Sequence, residues 1–106
     1  MKKTGSMVVS VSASAARDSL VMHPNDGFDL GFMRVEHPVP LCLDLGLEAF
    51  LKGETAASDP VRLALLNECP PKTMVVGTAL HRRLGEPIRV VVLFDGERLF
   101  VHGQSH

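Results

Sequence analysis

Tryptophan and tyrosine are missing from this sequence, and its aromatic side chains besides histidine are five phenylalanines. Surfaces that stack bases or sugars depend on aromatic faces, so nucleic acid and carbohydrate lose weight as ligands. An excess of either charge is missing too. There are 11 Lys and Arg against 12 Asp and Glu, for a formal net charge of −1. A chain so balanced exerts no general pull on phosphate backbones or anionic membranes. Cysteine is scarce: Cys42 and Cys69 stand far apart. Two such residues do not make a disulfide framework, and they read as buried free thiols in a reducing compartment. No run approaches the ~20 apolar residues of a membrane-spanning helix. The opening MKKTGSMVVSVSASAARDS imitates a secretion leader, but Gly5, Ser6, Ser10 and Ser12 interrupt its apolar stretch. The expectation is a cytoplasmic protein bound neither to membrane nor to nucleic acid.

The usual signatures of chemistry are also absent. There is no GxSxG elbow and no glycine-rich phosphate loop between a strand and a long helix. The spacing HGQSH puts His102 and His106 four apart, as metal ligands on a helix would be, but Gly103 argues against a helix and no Cys, Asp or Glu completes the set. NDGFD lacks the ligand spacing of a calcium loop. Cys42 falls in an apolar strand. Cys69 falls at the end of an expected helix, where the dipole disfavours a thiolate. No metal and no cofactor is expected.

What is present is structure. The 106 residues, 45% hydrophobic and 22% charged, suit one domain over 1–106. MVVSVSAS alternates with the period of a half-buried strand. SLVMH and FDLGFMRV flank the turn-rich HPNDG, which predicts a hairpin over 19–35. VPLCLDLG alternates, but Pro38 and Pro40 suggest an edge strand or a late start. LEAFLKGE predicts a short helix ended by Gly53, and TAAS a loop. SDPVRLALLNECPP carries the strongest helix signal, with Ser58 or Asp59 to cap it, Pro60 at its first turn and Pro70-Pro71 to stop it. KTMVVGTAL predicts a strand, and HRRLGEP a turn or one helical turn.

The last stretch, IRVVVLFDGERLFVHG, predicts a hairpin around Asp95-Gly96. A two-residue loop there would pair Phe94 with Glu97 and Arg89 with His102. No internal repeat is visible. The expected fold is α+β, a mostly antiparallel sheet or small, partly open β-barrel of about seven short strands with one or two short helices.

VPLCLDLG and LGEPIRVVVLFDGERLFVHG resemble the β-rich domains of flagellar and type III secretion switch-ring subunits. The resemblance covers about half the chain and carries no site residue. It implies an assembly subunit, which stands here as the weaker alternative.

The principal expectation is a non-catalytic interaction or assembly domain. Its partner would be a second copy of itself, as a homodimer or higher oligomer, or another protein. Strands 39–45, 73–79 and 88–94 look more apolar than a small core can hide. The alternative is a barrel binding a small anionic ligand, or an enzyme. Its candidate residues are His81, Arg82, Arg89, Arg98 and His102, gathered on the mixed face of the last hairpin.

Overall fold

Strands with an apolar residue at every second position have one face to bury. In this chain they bury it against one another by closing into a ring. The computed structural model describes residues 1–42, 46–54 and 58–104. Its elements are β1 (Lys2–Lys3), β2 (Met7–Ser12), β3 (Ser19–Met22), α1 (Pro24–Asp29), β4 (Glu36–Cys42), α2 (Leu47–Leu51), β5 (Ser58–Leu65), β6 (Thr73–Gly77), α3 (Thr78–Arg83), β7 (Arg89–Phe94) and β8 (Leu99–Gln104). The strand order is β7-β2-β6-β3-β5-β4-β8, and β8 pairs back to β7, so seven strands close a barrel. The short β1 adds to β7 beside β2.

The expected barrel is therefore present, but it is closed rather than partly open. It is also mixed rather than mostly antiparallel. Three of its seven joints, β2–β6, β3–β5 and β4–β8, are parallel. Three short helices are present among the described residues.

Two halves of the chain repeat one another in this topology. From β2 through the turn after α1, residue n of the first half corresponds to residue n + 54 of the second; at β4 the offset drops to 51, since Val39 pairs with Val61 as Val90 pairs with Met7. Val8 pairs with Thr73 as Arg62 pairs with Ser19. The Val8 N–H donates to the Lys72 carbonyl as the Arg62 N–H donates to the Asp18 carbonyl. Both helices that follow the central strands end on Leu-Gly, with Gly31 at φ 90° and Gly85 at φ 87°. That left-handed turn suits glycine because it has no Cβ. A local two-fold axis passes between Val21 and Val75, which face each other in the antiparallel β3–β6 pair. The repeat escapes the sequence because it preserves apolar spacing and turn glycines, and few identities.

The core fills the barrel. Leu20, Leu63, Met74, Val76, Val90, Val92 and Leu99 are fully buried there. A second layer lies outside the wall, where α2 sets Phe50 against Cys42, Leu93 and Phe100. The apolar strands are thus largely covered within the chain: residues 39, 41, 42, 74, 76, 90, 92 and 93 are buried, while Val75 and Val91 are half-buried and Ile88 is exposed. Residues 43–45, part of the expected strand 39–45, lie outside the described residues.

Two expected elements are overturned. SDPVRLAL is the strand β5, not a helix. Val61, Leu63 and Leu65 alternate into the core, while Arg62 is exposed and Ala64 half-buried. Period two won over the capping signals. Its proline is tolerated because Pro40 faces Pro60 and Pro38 faces Arg62 in the antiparallel β4–β5 pair. These positions share one parity. The Arg62 N–H turns away from β4 to the Asp18 carbonyl, so all three prolines occupy places whose nitrogens point out of that ladder. β4 is consequently not an edge strand. It meets β8 only at Leu41 and Cys42, past its prolines.

The expected 19–35 hairpin is also absent. HPNDG forms α1, with Pro24 in its first turn and the His23 ring accepting from the Asn25 N–H. β3 then pairs with β5 and β6, and its expected partner FDLGFMRV forms no strand: Phe28 and Asp29 end α1 and residues 30–35 connect it to β4. The LEAFLKGE helix and its Gly53 turn (φ 77°) are found as expected. Residues 55–57 of the expected TAAS loop lie outside the described residues.

Candidate functional site

The terminal hairpin forms with its two faces as expected, but its register is shifted by two. Phe94 pairs with Leu99, Val91 with His102 and Arg89 with Gln104. The loop is four residues long because Asp95 organises it. Its carboxylate accepts from the Glu97 and Arg98 N–H groups at 2.8 and 2.6 Å and from the Arg98 guanidinium at 3.0 Å. An Asx turn of this kind replaces the two-residue turn that Asp-Gly suggested. Burial pushes the Asp95 carboxyl up, but the Arg98 and Glu97 amides and the Arg98 guanidinium outweigh it and hold the group below its ordinary range.

The same loop places Arg98. Its guanidinium also donates to the Glu54 carbonyl at 2.7 Å and lies 5.0 Å from the centre of the Phe50 ring. Arg98 therefore ties the hairpin loop to the end of α2. His102 is half-buried beside Phe100, the ring centres 6.3 Å apart. Arg89, exposed at the start of β7, lies six residues from Asp95, roughly 20 Å along the strand. His81 and Arg82 belong to α3. The His81 ring nitrogen Nε2 sits 3.0 Å from the Pro87 carbonyl, and Arg82 is exposed. Between these positions the outer face of the hairpin carries Val91, Leu93 and Phe100 under α2. The five candidate residues are distributed along the wall, and none lines any of the three principal cavities.

Cys42 and Cys69 are buried and unbridged. Burial, then the nearby Asp26 carboxylate, pushes the Cys69 thiol up. No helix end is involved, since the residues before Cys69 form a strand and a turn. Among the described residues no group of three or more His, Cys, Asp or Glu is placed to hold a metal ion. Among the described residues no helix is long and apolar enough to cross a membrane.

Two features that sequence reasoning missed stand out. The first is an apolar rim at one end of the barrel. Phe28 is 54% exposed, Met33 87% and Val35 66%. Phe28 and Met33 line a groove of about 290 Å³ with Lys2 and Phe32. A second groove of about 260 Å³ adjoins it across Lys2 and Gly31. The signal in the sequence was FMRV, which was assigned to a hairpin strand.

The second feature is a cleft of about 200 Å³ where α3 and the loop before β3 meet β5. Its floor is Leu41, Val61 and Leu80, and its rim carries Arg17, Asp18, Asp59 and Arg83. No local sequence signal unites these residues, because the barrel closure brings them together. No family model, no curated protein and no solved structure matches this chain, so the resemblance to switch-ring subunits rests on its two strand-and-turn stretches alone.

Proposed function

We propose that this protein is a non-catalytic interaction domain that assembles with copies of itself through the rim formed by Phe28, Met33 and Val35. The observation that carries this reading is that the fold does not call for apolar residues at that place. The second half of the chain builds the corresponding corner with Arg82 where Phe28 stands and Glu86 where Phe32 stands. The connection into β7 also lacks residues matching Met33–Val35. The corresponding corner of the second half exposes one large apolar side chain among the described residues, Ile88, where this corner gathers Phe28, Met33 and Val35 beside a groove, and a gathered patch of that kind is the pattern of a contact surface.

A second copy suits this surface because charges of both signs border it. Lys2 and Arg34 are exposed on it, as are Asp29 and Glu36. An isologous contact needs a patch that complements itself, and such a border supplies that. The apolar strands 39–45, 73–79 and 88–94 do not enter the argument, because most of their described apolar side chains are buried within the chain.

Sedimentation velocity over a concentration series tests the proposal, with Phe28→Asp/Met33→Asp as the variant. The native chain is expected to associate, and the variant to associate at least tenfold more weakly at unchanged thermal stability. A native chain that stays monomeric throughout, or a variant that associates as well as the native chain, overturns it.

A further inference from the structure

We propose that the cleft between α3, β5 and the loop before β3 binds a small apolar amino acid in its zwitterionic form. The first argument is the distribution of charge. Arg83 pairs with Asp59 on one side of the rim. On the other side Arg17 and Asp18 are neighbours, exposed, and in no ion pair among the described residues. A rim with one free guanidinium and one free carboxylate matches a ligand that carries one carboxylate and one ammonium. It offers no excess of positive charge to a polyanion. Leu41, Val61 and Leu80 below would receive an aliphatic side chain. At the ~30 Å³ that a liquid water occupies, about 200 Å³ holds roughly seven water-sized groups, the scale of one small amino acid.

The second argument comes from the internal repeat. The corner equivalent to this cleft contains Asp26 where the cleft has Leu80, and Lys72 where it has Asp18. There the buried Asp26 carboxylate accepts from the Lys72 N–H at 2.8 Å. The protein thus fills one corner with its own carboxylate. In the other, Leu80 offers no acceptor and the space is open to solvent. A ligand carboxylate beside Arg17 and Asp18 would do for the first half what Asp26 does for the second.

The test is a titration of the ¹⁵N-labelled chain with L-leucine, followed by amide chemical shifts. Isovalerate and isoamylamine, each with the same branched apolar group but one charge, serve as controls. Saturable shifts confined to residues 17–18, 59–61 and 79–83 are expected, with leucine binding at least tenfold more tightly than either control. Arg17→Ala and Asp18→Asn alter only exposed side chains, and each is expected to weaken leucine at least tenfold. Absence of saturation at tens of millimolar, equal affinity for a control, or binding that survives both substitutions overturns the proposal. None of these outcomes bears on self-association, which uses the apolar rim.

Discussion

Adding one methyl group at Gly27 is expected to weaken this protein, although Gly27 lies inside a helix. Taken alone, α1 should welcome the change. Alanine is favoured over glycine in a helix interior by about 0.8–1 kcal/mol. The tertiary structure reverses this. A Cβ at Gly27 would press on both Leu65 methyl groups, one of them 2.6 Å away, and on the Leu65 Cγ at 3.0 Å. Leu65 is 4% exposed and held in the barrel core, so it has little room to turn aside. Overpacking of this kind costs about 1–3 kcal/mol. The net loss for Gly27→Ala is then up to about 2 kcal/mol and centred near 1, or roughly 4–5 °C in Tm for a domain of this size. The repeat explains why the crowding is local: His81 occupies the place equivalent to Gly27, and the residue equivalent to Leu65 is Val11, which is 45% exposed.

Urea unfolding followed by circular dichroism is the assay, since no tryptophan is present to report by fluorescence. Leu65→Ala alone should cost about 2–5 kcal/mol. In that background the clash is gone, and Gly27→Ala should be neutral or stabilising. The cycle should therefore show a coupling of about 2 kcal/mol. A Gly27→Ala protein as stable as the native chain, or one that loses the same stability in both backgrounds, would refute the reasoning.

Two further outcomes follow from single side chains. Thr4 is buried, and its hydroxyl accepts from the Val92 N–H at 3.1 Å where β1 meets β7. Thr4→Val keeps the shape and orphans that amide, so stability should fall by about 1–3 kcal/mol while Thr4→Ser retains most of it, as thermal unfolding would show. The Asp95 carboxyl is held below its ordinary range, so in acid the unfolded chain binds the proton first and stability rises with pH. That contribution is present above the ordinary carboxylate value of about 3.9 and is lost as pH falls through the folded value. Below about pH 4 the urea midpoint of the native chain should therefore fall more steeply than that of Asp95→Asn, and equal slopes would deny the role of the loop hydrogen bonds.

Wherever local pattern and tertiary demand agreed, the sequence by itself determined the element. Alternation in MVVS and VPLC marked strands, because a period of two buries one face in any sheet, and the β-rich runs MVV and RVVVLF marked two more. Gly53 ended α2 because a left-handed turn needs no knowledge of the fold. The opposed faces of the last hairpin were also legible, since they follow from parity alone. Its register was not, because the Asp95 side chain chose the loop length. Closure decided the rest. β5 carries helix caps and prolines, and only its place between β3 and β4, with the prolines at non-bonded positions, makes it a strand. The two-fold repeat is written in pairing and in turn glycines rather than in identities. The cleft arises where closure brings distant segments to one end of the barrel. Residues 17, 59 and 83 share no local pattern, and they meet because a ring of strands has no edges and must bring its connections together at its mouths.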